Sequence, residues 1–253
     1  MITFVGAGSG DPDLITIKGA KKLGEADVVI YAGSLVNPGI LTHAKQGAAI
    51  YNSASMTLDE VIEVMAPAAK AGKKVVRLHT GDPSIYGAIR EQMDRLDALN
   101  LEYEVVPGVS SFVASAAALK KEFTLPNVSQ TVIITRQAGR TPMPAGESLH
   151  ELAGHGATMC IFLSVQMIED VMQELLAGGA YTKDTPVAIV QKASWPDQKI
   201  YRGTIGTIAE IVKADGVDRT AMIMVGGFLG NDYELSRLYA PDFTHGFREA
   251  KQV

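Results

Sequence analysis

Residues 3–12, Thr3-Phe4-Val5-Gly6-Ala7-Gly8-Ser9-Gly10-Asp11-Pro12, join a short apolar run to a glycine-rich turn. The β-branched and aromatic residues predict a strand over residues 3–6, and the segment after the turn has helical period over residues 14–25. Alternating glycines permit positive φ angles and let a ligand approach the backbone closely, although a tight turn alone also needs glycine. A strand, a tight turn and a helix in this order predict a βα unit.

The same alternation of short apolar runs and helical segments continues along the chain, so we predict an α/β fold with mostly parallel sheets. Further strands are predicted over residues 27–31, 74–79, 103–106, 131–135, 158–163, 186–191, 200–203 and 221–225. Further helices are predicted over residues 58–71, 85–99, 109–119, 165–176 and 205–213. The turn and strand over residues 197–204 indicate that the second half mixes parallel and antiparallel strands.

A charged and proline-broken stretch, Lys120-Lys121-Glu122 followed by Leu125-Pro126-Asn127, separates the two halves of this alternation. Such stretches are typical of domain boundaries. We therefore predict an N-terminal domain of residues 1–121 and a C-terminal domain of residues 122–253.

The chain of 253 residues has 47% hydrophobic residues and a formal net charge of −5. The acidic balance argues against nucleic acid as a partner. Cys160, the only cysteine, lies in an apolar run and is expected to be a buried core residue. No apolar stretch approaches the roughly 18 residues of a membrane span, and the first residues lack a signal-like pattern, so we expect a cytoplasmic protein without membrane contact.

The spacing of the glycines argues against several nucleotide sites. A nicotinamide or flavin site needs G-x-G-x-x-G and an acidic residue at the end of the second strand, but that strand ends in Tyr31-Ala32. Asp11, placed where a phosphate-binding helix would begin, would repel a pyrophosphate. Nothing matches a P-loop, and no His or Cys cluster has metal-ligand spacing. The first loop therefore fits a cofactor without phosphate.

Two more loops follow predicted strands, one at residues 80–87 and one at residues 107–111. Ligands of parallel sheets bind at the carboxyl ends of the strands, so these loops and the first are expected to share one crevice. Ser110 and Ser111 fit plain helix capping equally well.

Taken together, residues 5–16, the loop Thr80-Gly81-Asp82-Pro83 and the loop Pro107-Gly108-Val109-Ser110-Ser111 resemble the ordered motifs of the tetrapyrrole methylases. The resemblance continues through residues 162–164, 193–194 and 220–222 and covers nearly the whole chain. It implies two α/β domains with S-adenosylmethionine in the cleft between them, S-adenosylhomocysteine as product, and a homodimer. One departure is Ser9, because the family usually has proline at this position. Serine leaves the loop less rigid than proline would.

The resemblance also implies the residues that bind the cofactor. They are Gly8, Ser9, Gly10, Asp11, Thr80, Gly81, Asp82, Ile85, Ser110, Ser111, Leu163, Ala193, Thr220, Ala221 and Met222. Within the family, residues 31–36 and 135–142 are similar to the branch that methylates carbon 11 of precorrin-4 or its cobalt complex.

Such an anionic tetrapyrrole carries many carboxylates, so an acidic protein must gather cationic side chains where it binds. Arg136 and Arg140 are the candidates, because a guanidinium can hold a carboxylate with two parallel hydrogen bonds. Tyr86 is a further candidate for contact with the macrocycle. Methyl transfer from a sulfonium needs no strong base beforehand, so we name no catalytic acid or base and no metal.

The sequence leaves three other functions open. The first is methylation of uroporphyrinogen III by a member of the same family. The second is a nucleotide-dependent oxidoreductase, which binding of a reduced nicotinamide would support. The third is a tetrapyrrole-binding protein without activity, which a turnover assay would separate from an enzyme.

Overall fold

The computed structural model of the chain describes residues 1–251. It contains two compact units: Met1–Ser115 together with Lys192–Lys199, and Ala116–Gln191 together with the residues from Ile200 on. The predicted division of the chain between residues 121 and 122 stays a prediction.

The first unit is built on a parallel five-stranded sheet. Its strands are β1 (Ile2–Gly6), β2 (Val28–Tyr31), β3 (Ala49–Asn52), β4 (Val75–His79) and β5 (Tyr103–Val106), in the order β3-β2-β4-β1-β5. Every pairing between these neighbours is parallel, as the βα alternation predicts. Its helices are α1 (Ile17–Glu25), α2 (Leu58–Lys70) and α3 (Arg90–Ala98), and α4 (Ser111–Leu119) follows β5.

Both faces of this sheet are buried, because successive side chains of a strand point to opposite faces. Val5 and Val29 belong to one core cluster, which also contains Leu23 of α1. Phe4 and Ile30 belong to a second cluster with residues of α2 and α3. The central strands β1 and β2 therefore read as nearly continuous apolar runs in the sequence.

The second unit contains a mixed sheet of five strands. They are β6 (Val132–Arg136), β7 (Thr158–Phe162), β8 (Pro186–Gln191), β9 (Lys199–Thr204) and β10 (Ala221–Val225), in the order β6-β7-β10-β8-β9. β6 pairs with β7 in parallel, whereas β10 is antiparallel to both of its neighbours. The helices are α5 (Leu149–Ala153), α6 (Ile168–Ala177) and α7 (Ile208–Ala214). The predicted α/β class with mixed, mostly parallel sheets is confirmed.

Some elements differ from the sequence-based predictions. β3 is absent from the predicted strands because its apolar run, Ala49-Ile50-Tyr51, is short and lies on an edge strand whose four residues are all exposed. The predicted helix over residues 85–99 begins only at Arg90, because Tyr86 and Ala88 have φ angles of 53° and 48°. A left-handed backbone cannot continue a right-handed helix.

Cys160 is fully buried in β7, and burial raises the pKa of its thiol to about 12, which makes it unreactive, as expected for a core residue. Over residues 1–251, no helix combines the length and apolar character that a membrane span requires. In the same range, no group of three or more His, Cys, Asp and Glu side chains is arranged to hold a metal ion.

Candidate functional site

Three loops of the first unit meet at the carboxyl ends of their strands. Gly81 N donates a hydrogen bond to Gly8 O at 2.8 Å, and Gly8 N donates to Gly81 O at 3.3 Å. Gly108 N donates to Asp82 Oδ2 at 2.8 Å. The loops after β1, β4 and β5 therefore form one cluster, which is the geometry expected where parallel strands end side by side.

Close approach of the chain to itself explains the glycines of these loops. A Cβ on Gly108 would lie 2.1 Å from Gly81 O, and one on Gly6 would lie 2.5 Å from the Gly108 Cα. Gly8 has a φ of +78°, which favours glycine. A Cβ on Gly10 would lie 2.0 Å from the Trp195 ring. The glycine spacing is thus fixed by loop-to-loop packing within the first unit.

Asp82 fastens the second loop to the third. Besides its bond from Gly108, its Oδ1 accepts hydrogen bonds from Ser84 N at 2.8 Å and from the Ser84 hydroxyl. Burial raises the pKa of the Asp82 carboxyl, but the hydrogen bonds from Ser84 and Gly108 outweigh it and lower that pKa below its usual value. The carboxylate is therefore charged at neutral pH and placed in the loop cluster.

The first loop is held by the segment Lys192–Lys199. The Ser9 and Ser194 hydroxyls lie 2.8 Å apart, and the Ser194 oxygen also accepts a hydrogen bond from Asp11 N at 3.0 Å. Trp195 Nε1 donates to Ser9 O at 3.0 Å, and Asn37 Nδ2 donates to Gly10 O at 2.8 Å. Trp195 and Asn37 were not among the sequence candidates, because contacts over such chain separations leave no local pattern.

The other predicted cofactor residues of this unit lie in or beside the cluster. Thr80 Oγ1 donates to Leu35 O at 3.4 Å, a long bond, and Ile85 is half-buried. The Ser110 side chain is buried, and its Oγ lies 3.7 Å from the position of a Cβ on Gly81. Ala193 is buried and Ser111 is half-buried at the start of α4.

A cavity of about 260 Å³ adjoins the second loop. Thr80, Ile85 and Tyr86 contribute to its wall, together with Arg77 and His79 of β4. Neither Arg77 nor His79 is among the site residues that the sequence predicts. The available signal was two cationic residue types at alternate positions of an otherwise apolar strand.

In the second unit, the predicted cofactor residues lie at strand ends. Leu163 directly follows β7, has a φ of 55° and is 62% exposed. Thr220 has a φ of 51° and precedes Ala221, the first residue of β10, while Met222 is buried. A left-handed backbone is uncommon at a non-glycine residue, and strained backbone of this kind clusters at ligand sites.

The two predicted carboxylate-binding arginines differ in their surroundings. Arg136 Nη1 donates hydrogen bonds to Gln137 O and Thr141 O, each at 3.2 Å, and Nη2 donates to Pro142 O at 3.0 Å. Its guanidinium therefore braces its own loop. Arg140 is exposed in that loop.

The family model of the tetrapyrrole (corrin/porphyrin) methylases matches residues 1–209. The chain belongs to the tetrapyrrole methylases. It is 58% identical to a cobalt-precorrin-4 C(11)-methyltransferase of Methanocaldococcus jannaschii over 98% of this chain and 96% of that one. The solved structure of a cobalt precorrin-4 methyltransferase, a cobalamin biosynthetic enzyme, matches with a TM-score of 0.88 and 46% identity, over 91% of this chain and 96% of that one. A Thermus thermophilus uroporphyrin-III C-methyltransferase, crystallised with S-adenosylhomocysteine, matches with a TM-score of 0.75 and 28% identity, over 90% and 92% of the two chains.

In this tetrapyrrole methylase, the resemblance implies that Ser9 takes the place of a proline. Proline has no N–H and fixes φ, so its loss removes a backbone constraint. The Ser9 hydroxyl makes a contact to the Ser194 hydroxyl that ties the loop to the segment 192–199. Side-chain hydrogen bonds thus restrain the loop where proline would have done so through the backbone.

Proposed function

We propose that this protein is an S-adenosylmethionine-dependent methyltransferase that acts on carbon 11 of precorrin-4 or cobalt-precorrin-4 in cobalamin biosynthesis. The observation that carries the proposal is the 58% identity, over almost the full length of both chains, to an enzyme of that name. The loop cluster of the first unit supports it, because the charged Asp82 carboxylate would repel a phosphate and suits a cofactor that carries a positive charge.

The residues of the loop cluster fit S-adenosylmethionine. Asp82 offers a carboxylate of lowered pKa beside the cluster, which suits a cationic ligand. Thr80 and Ser110 offer hydroxyls, and Thr80 uses its own only for a long hydrogen bond. The remaining predicted cofactor residues, including Leu163, Ala193 and residues 220–222, stay part of this proposal.

When bound, S-adenosylmethionine supplies a methyl group on a sulfonium centre. The chain has to hold donor and acceptor carbon in line at reacting distance, and such positioning can supply about 7–11 kcal/mol of the barrier reduction. The braced loops suit this task, because Asp82 and Ser194 fix the loop backbones through hydrogen bonds. We assign no acid or base, since the reaction needs no strong base before transfer.

Arg136, Arg140 and Tyr86 are proposed to contact the macrocycle. Arg140 is the exposed cation of its loop, and Arg136 supports the loop by its three bonds to backbone carbonyls. Tyr86 lines the cavity beside the second loop and is 46% exposed. Loss of Arg140 should therefore weaken substrate binding directly, whereas loss of Arg136 should also loosen the loop.

We also propose a homodimer in the cytoplasm, in line with the expectations from the sequence. Sedimentation of the purified protein should then give twice the monomer mass of 26.9 kDa. A mass equal to that of one chain would contradict the proposed dimer but not the proposed activity.

The deciding experiment incubates the purified protein with S-adenosylmethionine and enzymatically generated precorrin-4, with and without cobalt. Mass spectrometry should detect one added methyl on the macrocycle and one equivalent of S-adenosylhomocysteine. The cobalt-containing and cobalt-free arms identify the form that is used.

Two results would contradict the proposal in different ways. Methylation of uroporphyrinogen III instead of precorrin-4 would keep the family and change the substrate. Binding of the macrocycle without consumption of the methyl donor would indicate a tetrapyrrole-binding protein without this activity.

A further inference from the structure

Arg77 and His79 lie on an otherwise apolar face of the first sheet. They alternate with Val76 and Leu78 along β4, so both point to the face that is covered by α2 and α3. Arg77 is 7% exposed and His79 is 5% exposed, and the Phe4 and His79 ring centroids are 6.0 Å apart. Charged side chains are almost never buried in such surroundings without a partner of opposite charge.

The partners of Arg77 are all neutral. Its Nε donates to Gln92 Oε1 at 3.2 Å, and its Nη1 lies 3.4 Å from the carbonyl oxygens of Ile30 and Leu78. Its Nη2 donates no hydrogen bond within residues 1–251. Burial lowers the pKa of Arg77 to about 10, which still leaves it charged at neutral pH. The guanidinium therefore has a free donor and an uncompensated charge.

His79 adds a second unused polar group. Its Nε2 is buried and has no hydrogen-bond partner within the described residues. Burial, and secondarily the charge of Arg77, lower the pKa of His79 to about 3, so its ring is neutral. A neutral imidazole carries one N–H and can donate it to an anion. Both side chains line the cavity beside the second loop.

The size of the cavity limits what can occupy it. Pockets that hold whole drug-sized ligands measure roughly 300–1,000 Å³, and a tetrapyrrole is larger than such ligands. A cavity of about 260 Å³ therefore suits a substituent of the macrocycle rather than its ring. A carboxylate is the substituent that would satisfy a guanidinium with free donors.

We propose that this cavity binds one carboxylate side chain of the tetrapyrrole, with Arg77 as its charge partner and His79 as a second donor. The inference rests on the proposed function, because the macrocycle supplies the carboxylate. Gln92 positions Arg77: it accepts from the guanidinium, and its Nε2 donates to Ala88 O at 3.0 Å. The turn with left-handed Tyr86 and Ala88 is thereby joined to the binding group.

Glu91 is the acidic side chain in the cavity wall, and it is exposed. A carboxylate turned inward from this position would compete with the macrocycle for Arg77. A Glu91→Gln variant tests this, because it removes the carboxylate and leaves Arg77 in place.

The experiment compares wild type with Arg77→Met, Arg77→Lys and Glu91→Gln. Each protein is saturated with S-adenosylhomocysteine, which prevents turnover, and titrated anaerobically with the precorrin-4 form that wild type uses. Arg77→Met should raise the macrocycle Kd at least ten-fold, and Arg77→Lys should restore part of the affinity. The Kd of S-adenosylhomocysteine, measured by calorimetry, should stay within about two-fold in both Arg77 variants, since a charge-assisted contact to the macrocycle alone is lost.

Three outcomes would overturn the proposal. An unchanged macrocycle Kd in a folded Arg77→Met protein would make Arg77 purely structural. An increased Kd for S-adenosylhomocysteine alone would assign the cavity to the carboxylate of the cofactor. A macrocycle Kd that is clearly lower in Glu91→Gln than in wild type would assign Glu91 as the partner of Arg77.

A second measurement does not depend on a folded Arg77→Met variant or on the proposed function. The Nε–H resonance of Arg77 in ¹⁵N-arginine-labelled wild type, assigned with Arg77→Lys, should shift saturably on addition of propionate. Absence of a shift would contradict a carboxylate site. If wild type neither binds nor methylates precorrin-4 but the shift occurs, the proposed function fails and the cavity remains a carboxylate site.

Discussion

At the scale of single residues, charge and hydrogen bonding separate the binding groups from the structural ones. Asp82 is held charged by three hydrogen bonds, whereas Cys160 is buried as a neutral thiol. His79 is neutral because it is buried beside Arg77. These differences come from the surroundings of each side chain, because the residue types alone do not set them.

Asp82→Ala should weaken cofactor binding and lower stability. Hydrogen bonds to a charged group contribute about 1.5–3 kcal/mol, and this change leaves Gly108 N and Ser84 N without their acceptor. Calorimetry with S-adenosylhomocysteine and urea denaturation measure the two effects. Asp13→Ala removes a carboxylate of the first loop that is exposed and should change neither quantity much. Equal affinity for S-adenosylhomocysteine and equal stability of the two variants would contradict the role proposed for Asp82.

His79 should make stability depend on pH in mildly acidic solution. Its pKa is about 3 in the folded protein and near 6.5 in the unfolded chain, so between these values only the unfolded chain binds the proton. Stability is therefore full above about pH 6.5 and decreases as the pH falls, by up to about 1.4 kcal/mol per pH unit. The free energy of unfolding, measured by urea denaturation near pH 5 and pH 6, should change less between these two pH values in His79→Gln than in wild type. An equal change of the unfolding free energy with pH in the two proteins would mean that His79 is protonated in the folded protein.

At the scale of elements, the segment 192–199 is what gives the first loop its shape. Its Ser194 and Trp195 reach the backbone of Ser9 and Asp11, and the Trp195 ring fills the space beside Gly10. The loop after β1 is thus braced by residues that lie more than 180 positions later in the chain. Cofactor affinity should respond to this distant segment as well as to the loop itself.

Ser194→Ala should weaken S-adenosylhomocysteine binding several-fold and speed hydrogen exchange of the amides of residues 9–11. It removes the hydroxyl that contacts Ser9 Oγ and accepts from Asp11 N, bonds that together stabilise by about 1–2 kcal/mol. Calorimetry and exchange mass spectrometry measure these effects.

Ser148→Ala is the matched control for Ser194→Ala. It removes the N-cap hydroxyl of α5 in the second unit, at a similar cost of about 1 kcal/mol. If both variants bind the cofactor product equally, loop bracing does not contribute to affinity.

At the scale of the whole molecule, the chain is a tetrapyrrole methylase with two five-stranded sheets, one parallel and one mixed. The parallel sheet ends in the glycine cluster and the cavity with Arg77. A ligand that binds only the folded protein must stabilise it by mass action.

S-adenosylhomocysteine should raise the melting temperature in a concentration-dependent way. At 100 times its Kd, the stabilisation is about 2.7 kcal/mol, which corresponds to about 5–10 °C for a chain of this length. Scanning calorimetry measures the shift, with reduced nicotinamide nucleotide as the comparison ligand. A shift with the nucleotide and none with S-adenosylhomocysteine would support the oxidoreductase alternative.

Much of the fold and part of the candidate site could be predicted from local sequence. The strands over residues 186–191 and 221–225 are predicted at their observed bounds, because buried strands give continuous apolar runs. The partly exposed strand over residues 103–106 is also predicted at its observed bounds. The meeting of the three loops followed from the parallel sheet. β3 is missed, since its apolar run, Ala49-Ile50-Tyr51, is only three residues long and lies on an exposed edge strand.

The α/β class, the family and the loops of the glycine cluster can be recognised from the amino-acid sequence, because apolar period and glycine spacing are local properties of the chain. The folded structure is needed to see that Trp195 and Ser194 brace the first loop and that Arg136 bonds to its own loop carbonyls. It is also needed to see that Arg77 is buried without a carboxylate partner among residues 1–251. These facts depend on contacts between residues far apart in sequence and on burial, which sets both hydrogen-bond partners and pKa values.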